Sequence, residues 1–171
     1  MPDRRTTTVA NSHQGGAVPS RRAQIKMTDE ELGAFLTEQT LGVLGSVDGH
    51  GNPHLVNVTY LRHRGERIFS SFVKAQKIVN LRRNPRASML IEIASPYHEI
   101  RGALVTGTAA ITDDVETVRE LMAVIADNQQ RRVGDPQPEM DLSQVATKRV
   151  IVSLKPERIA SWDHRRLGGV Y

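Results

Sequence analysis

The chain has 171 residues and a mass of 19.0 kDa, a length that suits about one domain. Its composition, 39% hydrophobic and 25% charged, is typical of a globular protein and argues against a wholly disordered one. No stretch approaches the roughly 18 apolar residues of a membrane span. The absence of cysteine excludes disulfides, thiolate metal sites and cysteine nucleophiles. Eight basic residues and one acid lie between Arg62 and Arg86, which indicates a local anionic ligand rather than general nucleic-acid binding.

Residues 1–26 form a predicted basic tail. They contain almost no large apolar side chains and therefore cannot bury enough surface to offset the entropy of ordering. Arg21 and Arg22 are not followed by the apolar stretch that an export signal needs. We therefore expect a disordered tail over 1–26, one domain over 27–171, and a cytoplasmic protein.

The periodicity of the domain predicts mostly strands. Thr28 and Glu31 have the spacing of a capping box that begins a helix over 29–38. A short helix over 74–83 ends before Pro85, and a longer one starts after Thr112-Asp113-Asp114 and is followed by a loop over 133–140. Seven strands are predicted, over residues 41–47, 54–62, 67–72, 86–94, 98–111, 149–154 and 158–162. Sequential hairpins, one of them turning at Asp48-Gly49, together with a late helix indicate a small antiparallel barrel.

Common catalytic and metal-binding motifs are missing from the sequence. The six histidines have no metal-binding spacing, and a turn with a proline separates His50 from His54, so we predict no metal site. There is also no dinucleotide-binding glycine motif, no P-loop and no serine-nucleophile elbow.

The segment from Ser70 to Arg86 is the most informative one. Two hydroxyls, Ser70 and Ser71, end a strand that leads into a helix start with Lys74 and Lys77. Hydroxyls, free helix N–H groups and ammonium groups together suit a phosphate. The sequence leaves open whether the arginines that follow contact the ligand or only water; they are Arg82, Arg83 and Arg86.

Several motifs resemble those of the pyridoxamine-5′-phosphate-oxidase-like split β-barrel proteins, over residues 28–166. The subgroup that uses the deazaflavin coenzyme F420 is the most similar. The matching motifs are Gly42-Val43-Leu44 with Asp48-Gly49 and Pro53-His54, Ser70-Ser71 through Lys77 to Asn80-Leu81-Arg82-Arg83-Asn84-Pro85-Arg86-Ala87-Ser88, Val105-Thr106-Gly107-Thr108-Ala109, and Ser161-Trp162-Asp163-His164.

The resemblance implies a mainly β fold with flanking helices, an FMN-binding, flavin-reductase-like Greek-key split barrel. It also implies a homodimer with cofactor sites at the interface. Lys77 would bind the cofactor phosphate, and Gln76 stands where the oxidases commonly carry an arginine that Lys74 could replace. The other implied cofactor-binding residues are Ser70 and Ser71 at the ring or its side chain, Asn57, Val58, Thr59 and Tyr60 on the strand against the ring, and Trp162 near the site.

The implied activity is that of an F420-dependent oxidoreductase. It would transfer a hydride between F420 and an electron-poor small molecule, such as a quinone, an enone or a tetrapyrrole like biliverdin. The arginine-rich pattern that closes the vitamin B6 oxidases is not evident after Trp162. Two alternatives stay open: an FMN-dependent oxidase or flavin reductase, and a non-catalytic dimer that binds a cofactor or haem. No catalytic residue is predicted, since a core role for Tyr60 is favoured over proton donation, and neither nucleic acid nor membrane is an expected partner.

Overall fold

The computed structural model describes residues 20–93, 96–133 and 141–168. Two short 3-10 turns cover Tyr97–Glu99 and His164–Leu167. The helices are α1 (Arg21–Gln24), α2 (Asp29–Glu38), α3 (Gln76–Arg83), α4 (Val115–Val133) and α5 (Leu142–Ala146). The strands are β1 (Leu41–Val47), β2 (Pro53–Thr59), β3 (Leu61–His63), β4 (Glu66–Phe72), β5 (Arg86–Ile93), β6 (Arg101–Thr112) and β7 (Arg149–Asp163).

The strands form one antiparallel sheet in the order β2-β1-β5-β6-β7-β4-β3. The two edge strands, β2 and β3, are consecutive in the chain and are separated by Tyr60 alone. A sheet with consecutive edge strands has to curl until those edges meet, which produces a barrel that is left split between them. The predicted mainly β barrel with flanking helices is therefore confirmed.

Local signals placed several elements correctly. The capping box is present, because the Thr28 N–H donates to the Glu31 carboxylate (2.6 Å) and the Glu31 N–H donates to the Thr28 hydroxyl (3.2 Å). The carboxylate of Asp48 holds the predicted first hairpin turn by accepting from the backbone N–H groups of His50 (2.8 Å) and Asn52 (2.9 Å). These bonds involve neighbours within four residues, so the sequence pattern suffices to predict them.

Two predicted strand assignments were wrong. The single strand over 54–62 is divided at Tyr60, whose N–H donates to the Thr40 carbonyl (2.7 Å), because β2 pairs with β1 whereas β3 pairs with β4. The two strands over 149–154 and 158–162 are one continuous β7. Between the two predicted strands, the pairing of β7 with β6 shifts its register beside Gly107, and the strand continues. A Cβ on that glycine would overlap the Lys155 carbonyl. Helix α5 was not predicted.

Residues 20–26, the last part of the predicted disordered tail, are described by the structure and contact β7. Ser20 caps α1, the Ile25 carbonyl accepts from the Asp163 N–H (2.7 Å), and the neighbouring Met27 N–H donates to the Ser161 hydroxyl (3.3 Å). The segment is thus joined to β7 by a main-chain hydrogen bond at Ile25 and is followed directly by Met27, whose side chain is buried in the core. Residues 1–19 and most of the predicted loop over 133–140 lie outside the described residues.

The molecule has two apolar clusters, one on each side of the sheet. The barrel interior contains residues such as Phe35, Phe69 and Val105, while a second cluster joins β4 and β7 to α4 and α5. Side chains alternate between the faces of a strand, so Ile68 and Ser70 face α4 while Phe69 and Ser71 face the interior. The second cluster consists of Ile68, Val118, Met122, Ile125, Ala146 and Ile151. In the described part of the chain no helix is long and apolar enough to cross a membrane.

Candidate functional site

A cavity of about 500 Å³ lies between the outer face of the sheet and α4. Its lining includes two cationic side chains and, among these described residues, no carboxylate. The sheet contributes Asn57, Val58 and Thr59 from β2, Ser70 from β4 and Arg149 from β7, and the helices contribute Lys77 from α3, Met122, Ile125, Ala126, Gln129 and Gln130 from α4 and Leu142 from α5.

Lys77 is the second residue of α3 and one of the two cations. The fully buried Ile78 fastens this end of the helix to the barrel core. Ala75 at the N-cap provides no side-chain hydrogen bond, so the first N–H groups of α3 remain available to a ligand. Burial, and then the charge of Arg149, lower the pKa of Lys77 below its usual value. The lysine is therefore held charged at a free-energy cost that a bound anion would remove.

Arg149 begins β7 and is the second cation. Its Nη1 donates to the Ser70 hydroxyl (3.3 Å), and its guanidinium lies 4.2 Å from the centre of the Phe72 ring. Its Nε is buried without a hydrogen-bond partner, and within the described segments neither Arg149 nor Lys77 forms a salt bridge. A buried donor without an acceptor is costly, and guanidinium groups match the oxygens of a phosphate. The pair of cations therefore fits a phosphate group.

The structure brings five of the predicted site residues together in this cavity: Asn57, Val58, Thr59, Ser70 and Lys77. It places Ser71 elsewhere, since that side chain is 3% exposed on the interior face of β4. Tyr60 is also in the core, with its hydroxyl donating to the Leu36 carbonyl (3.4 Å). This position gives Tyr60 the role of a core tyrosine.

Three other predicted residues lie outside the cavity lining. Lys74 is exposed in the turn before α3. The Gln76 amide donates to the Asn80 side chain (2.8 Å), a contact that stabilises the first turn of α3. Trp162 faces Gly102 on the neighbouring strand, where a Cβ would overlap its indole ring.

The three arginines that the sequence left open have acceptors within the protein. Arg82 pairs with Asp113 (3.2 Å), Arg83 donates to the Val47 carbonyl (2.5 Å), and Arg86 pairs with Glu157 (2.6 Å). These groups are therefore engaged in holding α3 and β5 to their neighbours.

Sequence analysis missed Arg149 and the wall formed by α4. Arg149 is 72 residues away from Lys77 in the chain, and only the pairing of β4 with β7, which sets Phe72 opposite Arg149, brings it beside Ser70. One feature of the sequence could have indicated that α4 lines the site. A glutamine, Gln129, follows Ile125 at the spacing where the apolar face of the helix would continue.

The fold is a split barrel, and the cavity outside its sheet is positively charged and, at about 500 Å³, large enough for a small-molecule ligand. The sequence pattern of the pyridoxamine 5′-phosphate oxidase family matches residues 28–163, and the chain belongs to this family. Members of the family are typically oxidoreductases with a flavin-binding fold.

Solved structures agree with this assignment. A conserved hypothetical protein from Mycobacterium tuberculosis is 33% identical over 90% of this chain and 95% of its own, with a TM-score of 0.75. A protein named F420 reductase is 20% identical over 74% of this chain and 93% of its own (TM-score 0.59). A FAD-binding protein from Mesorhizobium loti is 20% identical over 80% and 94% (TM-score 0.60). The last two similarities show the fold alone.

Proposed function

We propose that this protein is an oxidoreductase that binds the deazaflavin coenzyme F420 in the cavity beneath α4 and passes a hydride to an electron-poor small molecule. The observation that carries the proposal is the pair of cations, Lys77 and Arg149, in a cavity whose described lining has no carboxylate. A coenzyme phosphate would neutralise the charges of both groups.

The C-terminal arginines favour a deazaflavin enzyme over a vitamin B6 oxidase. Arg165 forms an ion pair with the buried Asp163 (2.6 Å), and Arg166 pairs with Glu31 of α2. These guanidinium groups serve the fold, so they are not free to hold the phosphate of a pyridoxal substrate. The name of the F420 reductase with the same fold is consistent with this choice.

The residues of the cavity have separate roles in the proposed reaction. Lys77 and Arg149 hold the phosphate, with Ser70 orienting the guanidinium. The apolar side chains of α4, among them Met122 and Ile125, cover the cavity and exclude water from the ring. When bound, the coenzyme supplies the hydride, and the protein supplies placement and electrostatics.

We also propose that the working form is a homodimer. The outer face of β2, β1, β5 and β6 exposes a group of apolar side chains, among them Leu55 (68% exposed) and Leu41 (58%). The strand register puts Asn57, Val43, Leu90 and Leu104 side by side across this face. Since Asn57 also lines the cavity, a second copy seated here would reach the edge of the cofactor site.

Light scattering tests the homodimer and should give twice the chain mass of 19.0 kDa. Leu55→Arg should shift the protein toward the monomer. A monomeric wild type would contradict the proposal.

The test of cofactor choice is a parallel titration of the purified protein with F420 and with FMN. The fluorescence of each coenzyme should be followed, because Trp162 lies outside the cavity. We expect F420 to bind at micromolar concentration and FMN to bind more weakly. Tight FMN binding would assign the protein to the flavin branch. Binding of F420 without turnover across a panel of quinones, enones and tetrapyrroles would support the non-catalytic alternative.

A further inference from the structure

The face of α4 that packs on the sheet changes character along its length. Val118, Met122 and Ile125 follow each other at helical spacing and pack in the cluster that contains Ile68 and Ile151 of the sheet. The next residue on the same face, four positions after Ile125, is Gln129. An amide therefore replaces an apolar side chain at the point where the helix passes from the packed cluster to the cavity.

Gln129 and its neighbour Gln130 both line the cavity. Gln129 is half-buried. Within the described residues neither side-chain amide forms a hydrogen bond to the protein, although each offers two donors and a carbonyl acceptor. Gln130 is exposed, but a half-buried amide such as that of Gln129 normally has hydrogen-bond partners. A ligand in the cavity would provide hydrogen-bond partners for these amides, which belong to the α4 wall opposite the sheet.

We propose that the Gln129 and Gln130 amides form hydrogen bonds to the polar edge of the ring system of the bound coenzyme and thereby select its ring. The ligand class is a planar heteroaromatic with adjacent carbonyl and N–H groups, an edge that one primary amide matches with a donor and an acceptor. This inference rests on the proposed function, because it takes the phosphate to lie at Lys77 and Arg149. The two walls of the cavity then recognise different parts of the coenzyme. Lys77 and Arg149 bind its phosphate by charge, and α4 binds its ring by shape and hydrogen bonds.

The experiment separates ring recognition from phosphate recognition. Riboflavin and the phosphate-free deazaflavin chromophore probe the ring alone, and inorganic phosphate, as a competitor of the full coenzyme, probes the cations alone. Gln129→Leu should weaken binding of the phosphate-free ring about three- to tenfold, the effect of one lost neutral hydrogen bond, and leave inhibition by phosphate unchanged. The matched control is Gln144→Leu, on the exposed side of α5 and outside the cavity lining, which should change neither.

A purely structural role for Gln129 would give a different result. Leucine extends the apolar face of α4, so the melting temperature of Gln129→Leu should stay the same or rise while ring affinity falls. A second variant, Gln129→Glu, keeps the side-chain size but replaces the amide donor with a carboxylate oxygen, and it should also weaken ring binding. Unchanged ring affinity in both variants would overturn the inference, as would an equal loss of ring and phosphate binding in the uncharged variant Gln129→Leu.

The result that would contradict the proposed function differs from the one that would contradict the role of the amides. If Lys77→Met leaves the affinity for the phosphate-bearing coenzyme unchanged, the phosphate does not lie at the cations. If Lys77→Met weakens that affinity and the Gln129 variants leave ring binding intact, only the role of the amides is wrong.

Discussion

Replacing Lys77 with methionine tests the cation pair most directly. Methionine keeps the apolar stem of the half-buried side chain and removes its charge. The substitution should weaken the binding of a phosphate-bearing coenzyme. It should not destabilise the free protein, because burial and then the like charge of Arg149 already disfavour the charged lysine.

The magnitude follows from what the lysine can do in the cavity. A hydrogen bond to a charged group contributes about 1.5–3 kcal/mol, which corresponds to a loss of affinity of roughly 10- to 150-fold. We expect the upper part of this range, because no carboxylate among the described lining residues competes with the phosphate for Lys77. The residual affinity comes from Arg149, and Arg149→Met combined with Lys77→Met should reduce it further.

The assay is a titration of wild-type and variant proteins with the coenzyme, alongside thermal melts of the free proteins. Lys74→Met is the matched control, since Lys74 precedes Lys77 by three residues but is exposed outside the cavity lining. Equal losses of affinity in both variants would show that the whole basic segment acts by general electrostatic attraction. A fall in the melting temperature of Lys77→Met would refute the view that its charge is a cost to the free protein.

Three further predictions follow from the same geometry. Coenzyme affinity should fall as the pH rises through the pKa of Lys77, which lies below its ordinary value of 10.5. In Arg149→Met this fall should begin at higher pH, because the like charge that lowers the pKa of Lys77 is gone. Coenzyme titrations of both proteins over a range of pH values check this. Asp163→Asn should lower the free energy of unfolding by about 1–2 kcal/mol at neutral pH. The hydrogen bond from the Arg165 guanidinium lowers the pKa of Asp163 below 3.8. The stability difference between wild type and variant should therefore persist above about pH 4 and vanish as the pH falls through the folded-state pKa, which a series of acid denaturations measures. Gly102→Ala should destabilise the protein by about 1–3 kcal/mol, because the new methyl group overlaps the Trp162 ring, and it should shift the tryptophan emission; an unchanged melting temperature would contradict this packing.

Elements governed by near neighbours in the chain could be predicted from sequence. The capping box at Thr28, the turn at Asp48 and the end of α3 before Pro85 all depend on contacts within a few residues. The segment joining Ser70 to Lys77 is of the same kind. A strand end leading directly into a helix start keeps these two groups near each other whatever the rest of the fold does.

The tertiary structure decided which of the neighbouring groups belong to the site. Ser70 and Ser71 are equivalent in the sequence, but the alternation of a strand turns the first to the cavity and the second into the barrel, and only the position of α4 tells which face is which. Sequence alone likewise did not divide the strand at Tyr60, because the division reflects different pairing partners on its two sides.

By itself, then, the sequence determined the mainly β class, the capped helices and the placing of Ser70 and Lys77 in one segment, for which it predicts phosphate binding. Only the tertiary structure supplied Arg149, through the pairing of β4 with β7, and the amides of α4, through the packing of that helix on the sheet. The physical reason is distance along the chain. Hydrogen bonds within a turn leave a local pattern, whereas a cavity is formed by side chains that meet only after the sheet has closed.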